Sequence, residues 1–166
     1  MRLRFLATAL IFLAALSPAL ADKSWSFPQF KLVISAPDSY KKVVKKTVPK
    51  ATLELFDAKQ NAQLLVSVTD GKPAETPSAK VLQKAFPVLA SENQLTMHGE
   101  PTPVKFKGGQ ALIYQMENSK LPNYQTVYAY VEKKPRSFIL ILNYASPRNN
   151  AMLDTMKKIV TSTRNS

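Results

Sequence analysis

Cysteine is absent from this chain, which removes a disulfide framework, a thiolate nucleophile and a lipid-modified cysteine at one stroke. Glycine is scarce: Gly71, Gly99, Gly108 and Gly109 are all there is, too few and too scattered for a dinucleotide or phosphate-binding loop. His98 is the only histidine, so a two-histidine zinc helix is impossible, and a serine triad would have to use this one residue. No Gly-x-Ser-x-Gly elbow occurs. Acids are few as well, with 11 against 23 lysines and arginines and a net charge of +12. Beyond the amino terminus the longest apolar run, Phe138 to Leu142, suits a buried strand and falls far short of a membrane span. These absences point away from catalysis, and no cofactor or metal is expected.

What is present begins with an address. Arg2 and Arg4 precede an apolar run from Phe5 to Leu16, and Ala19 and Ala21 occupy the −3 and −1 positions of a signal-peptidase site before Asp22. That pattern predicts a signal peptide over residues 1–21, cleaved after Ala21, and a periplasmic or secreted product. The product, residues 22–166, keeps ten excess positive charges and has the length of a single globular domain.

Periodicity organises the rest. Alternation through Phe30, Leu32 and Ile34 predicts a first strand over Ser26–Ser35, ended by Ala36-Pro37-Asp38-Ser39. Two further strands, Ala51–Asp57 and Ala62–Thr69, flank a loop at Ala58–Asn61. Thr76-Pro77 then opens a helix carrying Ala79, Leu82, Ala85, Phe86 and Leu89, which Pro87 should kink or divide. Strands follow around Val104–Phe106, Gln110–Glu117, Tyr124–Val131 and Phe138–Tyr144, with Gly108-Gly109 and Lys133-Lys134-Pro135-Arg136 as turns. Ser146-Pro147 starts a terminal helix whose apolar face is Met152, Leu153, Met156, Ile159 and Val160. Residues 22–25 and those after Thr163 are expected to fray. The fold class is therefore α+β, a central seven-stranded, mainly antiparallel sheet packed by helices.

That order of elements, with Ala36-Pro37-Asp38-Ser39-Tyr40 after an early strand and Ile159-Val160-Thr161-Ser162 closing the last helix, resembles the PsbP/Mog1-like family. Members often carry a tryptophan where this chain has Tyr40. The resemblance implies an α-β-α sandwich, and binding or assembly in place of catalysis: plant members attach to photosystem II, fungal and animal members bind a small GTPase, and many bacterial members are secreted. It supplies no active-site residue to carry over.

Lys41, Lys42, Lys45, Lys46 and Lys50 form the sharpest local cluster. In a helical turn, 41 would stack on 45 and 42 on 46, with Val43, Val44 and Val48 covering the sheet. Such a patch suits phosphates or carboxylates of a membrane surface or an acidic protein; the bland alternative is a solvated face. Lys133, Lys134 and Arg136 would crown a hairpin as a second basic rim, with Lys105 and Lys107 beside another loop. Tyr124, Tyr128 and Tyr130, at period two, read as one sheet face under a helix in preference to a base-stacking platform, and the export address argues against nucleic acid. His98 and Glu100 are half of a metal site, short of the ligands zinc needs. Two alternatives to a non-catalytic envelope-binding protein remain: a small-molecule or lipid carrier with a pocket lined by Phe86, Met152 and Met156, and a hydrolase built on carboxylates such as Asp57 and Asp70.

Overall fold

The computed structural model describes residues 22–48, 51–68, 79–92, 94–119, 121–133, 136–145, 147 and 150–165. The expected signal peptide, the Thr76-Pro77 and Ser146 caps, Asp70, Lys50 and Lys134 lie outside them. Strand β1 (Asp22–Phe27) and strand β2 (Leu32–Pro37) form an antiparallel hairpin running from the Asp22–Pro37 pair to the Phe27–Leu32 pair. The single strand expected over Ser26–Ser35 is thus broken in two. Pro28, which has no N–H for a ladder, opens a short 3-10 turn, and Lys31 at φ 50° reverses the chain.

The main sheet has eight strands, one more than expected, all antiparallel among the described residues. In chain order they are β3 (Lys41–Lys42), β4 (Leu53–Asp57), β5 (Ala62–Val68), β6 (Leu95–Met97), β7 (Thr102–Phe106), β8 (Gly109–Asn118), β9 (Leu121–Lys133) and β10 (Arg136–Ala145). In space they run β3-β4-β5-β10-β9-β8-β6, with β7 also pairing β8. Because successive side chains point to opposite faces, β8 and β9 feed two cores. Ala111, Ile113, Val127, Ala129 and Val131 join the larger one, under helix α2 (Asn150–Thr161) and the β1–β2 hairpin. Leu112, Tyr114 and Met116 face the other way, against Phe86 and Ala90 of helix α1 (Ala79–Glu92). The sheet is sandwiched between helices, as the family resemblance implies.

Pro87 does not divide α1: it lies inside one helix and faces solvent, where water can serve the carbonyl that it leaves unpaired. The carboxyl end, expected to fray, is tied down. Val33 and Arg164 exchange backbone hydrogen bonds of 2.8 and 3.0 Å, while the Ser162 hydroxyl accepts from the Ser35 N–H at 3.1 Å.

Candidate functional site

Among the described residues of the lysine cluster, 41–48, there is no helix. Tyr40 is fully buried in the larger core, and its N–H donates to the Pro37 carbonyl at 3.0 Å to close the preceding turn. Lys41 and Lys42 leave that turn as β3, the outer strand of the sheet, paired with Phe56 and Leu55. Lysines on an outer strand also deter edge-to-edge pairing with other chains. Pairing continues through Val43, whose N–H donates to the Glu54 carbonyl at 2.9 Å, and the chain then runs without helix to Val48. Val44 is 98% exposed, so the proposed valine face against the sheet does not form. Lys41, Lys42, Lys45 and Lys46 are exposed.

Glu54 holds this basic segment in place. Its buried carboxylate accepts from the Thr47 N–H at 2.7 Å, the Thr47 hydroxyl at 2.6 Å, the Val48 N–H at 3.3 Å and the Gln63 amide at 2.8 Å. Burial pushes the Glu54 pKa up, but these hydrogen bonds outweigh it and hold the group below the usual glutamate value. The Lys46 ammonium adds a 2.7 Å bond to the Ala51 carbonyl. From Glu54 a polar ladder crosses the open sheet face: Asn143 donates to Gln63 at 3.3 Å, and Thr126 to Asn143 at 2.8 Å.

Where β3 leaves the turn and β4 ends, an open cleft of about 710 Å³ is bounded by Ser39, Lys41, Lys42, Phe56, Asp57 and Lys59. Asp57 is 1% exposed. Its Oδ1 accepts from the N–H groups of Lys59 at 2.9 Å and Gln60 at 3.3 Å, shaping the β4–β5 turn. Its Oδ2, the Ser39 hydroxyl and the Tyr40 hydroxyl are buried without a hydrogen-bond partner among the described residues. Burial, and then the Asp57 charge, raise the Tyr40 pKa far above its ordinary range. Since that hydroxyl has no partner, Tyr40→Phe should leave stability unchanged or raise it by up to about 1 kcal/mol. A urea titration checks this, and a loss above about 1 kcal/mol would show that the hydroxyl is satisfied.

Along the strands, the backbone at Arg136 stands well away from that at Lys41. Arg136 lies seven residues from Asn143 on β10, and Asn143 aligns through Gln63 and Phe56 with Lys41. At about 3.3 Å per residue the two groups sit roughly 23 Å apart along the strands. Lys133, expected at an exposed loop tip, is 8% exposed; its ammonium donates to the Lys107 carbonyl at 3.1 Å and lies 5.5 Å from the Phe106 ring centre. It braces the β7–β8 turn. Gly109 in that hairpin is required, since a Cβ there would stand 2.5 Å from the Glu132 carbonyl oxygen.

The pocket of the alternative carrier reading does not form from its named residues: Phe86 belongs to the core under α1, whereas Met152 and Met156 belong to the one under α2, on the opposite face. The tyrosines do lie on one face. Tyr128 packs 4.7 Å from the Phe86 ring and Tyr130 is buried, while Tyr124 at the end of the row is exposed. His98 turns from Glu100 to Glu117 on β8, at 3.3 Å. Sequence reasoning missed Glu54, Ser39 and the interior placement of Asp57; the only signal was an acid at a buried position in a strand pattern.

No family model matches the chain, and no curated protein matches it in sequence. Solved structures do match in fold. PsbP of the cyanobacterium Synechocystis sp. PCC 6803 aligns with TM-score 0.65 at 12% identity, over 89% of this chain and 94% of that one. The protein Mog1 aligns with TM-score 0.58 at 9% identity, over 87% and 96% of the two chains. LpqN of Mycobacterium tuberculosis, described as involved in cell envelope biogenesis, aligns with TM-score 0.51 at 18% identity, over 80% and 81%.

Proposed function

We propose that this chain, which has the PsbP/Mog1-like fold, is exported through residues 1–21 and acts as a non-catalytic accessory protein of the cell envelope. It works by contact with an anionic surface through Lys41, Lys42, Lys45 and Lys46. The observation that carries this reading is the pairing of exposure with support: four exposed lysines stand on a segment that Glu54 anchors from below. The chain's large positive excess adds long-range attraction toward such a surface. The envelope role of the similarly folded LpqN fits the same setting. Among the described residues no helix is long and apolar enough to cross a membrane.

Co-sedimentation with vesicles tests the contact. Residues 22–166 should bind phosphatidylglycerol vesicles at low salt, bind phosphatidylcholine vesicles poorly, and release as salt shortens the reach of each charge to about 8 Å. Changing Lys41, Lys42, Lys45 and Lys46 to Ser should weaken binding by up to about 1 kcal/mol per lysine. Equal binding by both proteins would reduce the cluster to a solubilising face.

A further inference from the structure

The cleft beside the lysine edge carries charges of both signs in an order that selects its occupant. Asp57 lines it and is buried, with one oxygen used by the turn and the other without a partner among the described residues. An ionised carboxylate only accepts hydrogen bonds, and a buried one left half-served demands a donor, best a charged one. The Ser39 hydroxyl, which lines the same cleft, and the Tyr40 hydroxyl, near enough to feel the Asp57 charge, are also buried without a hydrogen-bond partner among the described residues. Around the rim stand Lys42 and Lys59, both exposed, and Lys41, whose ammonium lies 3.6 Å from the exposed carboxylate of Asp38 on the same rim; Phe56 and Val43 add apolar wall. A simple anion entering the cleft would meet the Asp57 carboxylate, and a simple cation would meet three lysines against the single rim acid, Asp38. A molecule with an ammonium at one end and an acid at the other satisfies both.

We propose that this cleft binds a primary-amine zwitterion bearing a phosphate, of the phosphoethanolamine type. The ammonium donates to Asp57 Oδ2 and the Ser39 hydroxyl, and the free phosphate oxygens, strong acceptors, face the rim lysines. A cleft of about 710 Å³ holds such a group with room for a lipid glycerol over Phe56 and Val43. The inference rests on the lysine edge being an anion contact, and it adds a chemical identity to that contact.

Titrating the isotopically labelled chain with O-phosphoethanolamine, phosphocholine and inorganic phosphate, followed by amide shifts of residues 38–43 and 56–60, decides it. The primary amine should bind at least tenfold tighter than phosphocholine, whose quaternary nitrogen donates no hydrogen bond, and at least tenfold tighter than phosphate. In Asp57→Asn, which keeps an oxygen for the turn, the preference should vanish while phosphate binding persists. Equal affinity for phosphoethanolamine and phosphocholine in the native chain would overturn the proposal, whether or not the variant folds; so would a preference that survives in a folded Asp57→Asn. If phosphate and phosphatidylglycerol vesicles also fail to bind, the anion-contact reading falls with it; if they bind without amine preference, only the zwitterion assignment falls. Phosphatidylethanolamine against phosphatidylcholine vesicles then separates a lipid headgroup from a free small molecule: sedimentation with the former alone identifies the lipid, and selective binding of the soluble compound alone identifies the free zwitterion.

Discussion

Phe86→Ala should cost about 3–5 kcal/mol and free α1 from the sheet while the larger core stays folded. The Phe86 ring stacks on Tyr114 at 4.1 Å between centres and meets Tyr128 at 4.7 Å. Around it, among the described residues, the second core holds Ala90, Leu112, Tyr114 and Met116, with Leu95, Met97 and Tyr128 at its margin. Removing the ring takes these aromatic contacts away from the helix. Small peripheral cores of this kind open locally before the whole domain unfolds. Hydrogen exchange should therefore accelerate across Ala79–Glu92 and Leu95–Met97 and stay slow in β9 and β10. Leu140→Ala, at the centre of the larger core and fully buried, should cost about 2–5 kcal/mol and lower protection everywhere. If both variants raise exchange uniformly, the two cores are one cooperative unit.

Glu54→Gln should destabilise the chain by about 2–3 kcal/mol near neutral pH, because several hydrogen bonds to a charged acceptor are weakened together and an amide presents donors to donors. The effect depends on pH with a definite sign. The folded Glu54 pKa lies below the ordinary value, since hydrogen bonds outweigh the opposing effect of burial. Its contribution is present above the unfolded glutamate pKa of about 4.3 and is lost as pH falls through the lower folded value. Urea midpoints of native and variant chains, measured from pH 7 to pH 3, should converge at the acid end. A constant gap would mean that the Glu54 charge is not the source. The same substitution loosens the turn at Thr47 and Val48, so vesicle binding should weaken without loss of any lysine.

The two variants expose how the elements divide between local and distant causes. The β8–β9–β10 meander was legible because Ala111–Tyr114, Tyr124–Val131 and Phe138–Tyr144 alternate or run apolar, and each neighbours its partner in the chain. Helix α2 was legible from the spacing of Met152, Met156, Ile159 and Val160. The lysine segment was misjudged for a physical reason. Its i, i+4 spacing satisfies a helix, but residues 41 and 42 are claimed by the free edge of β4, and backbone pairing there outweighs a weak local preference. Lys133 was misjudged likewise: turn position suggested exposure, whereas the Phe106 ring and the Lys107 carbonyl, distant in sequence, draw it inward.

From residues alone came the export pattern, the positive excess, the absence of thiol and glycine-loop chemistry, and the elements whose periodicity is local. Each of these is a property of composition or of neighbours within a few positions. The tertiary structure decided which strands adjoin, that Lys41 and Lys42 form an outer strand, and that Asp57 lines a cleft with one oxygen unserved among the described residues. Those depend on pairings between residues far apart in the chain, set by burial of two apolar faces at once, and no spacing within the sequence encodes them.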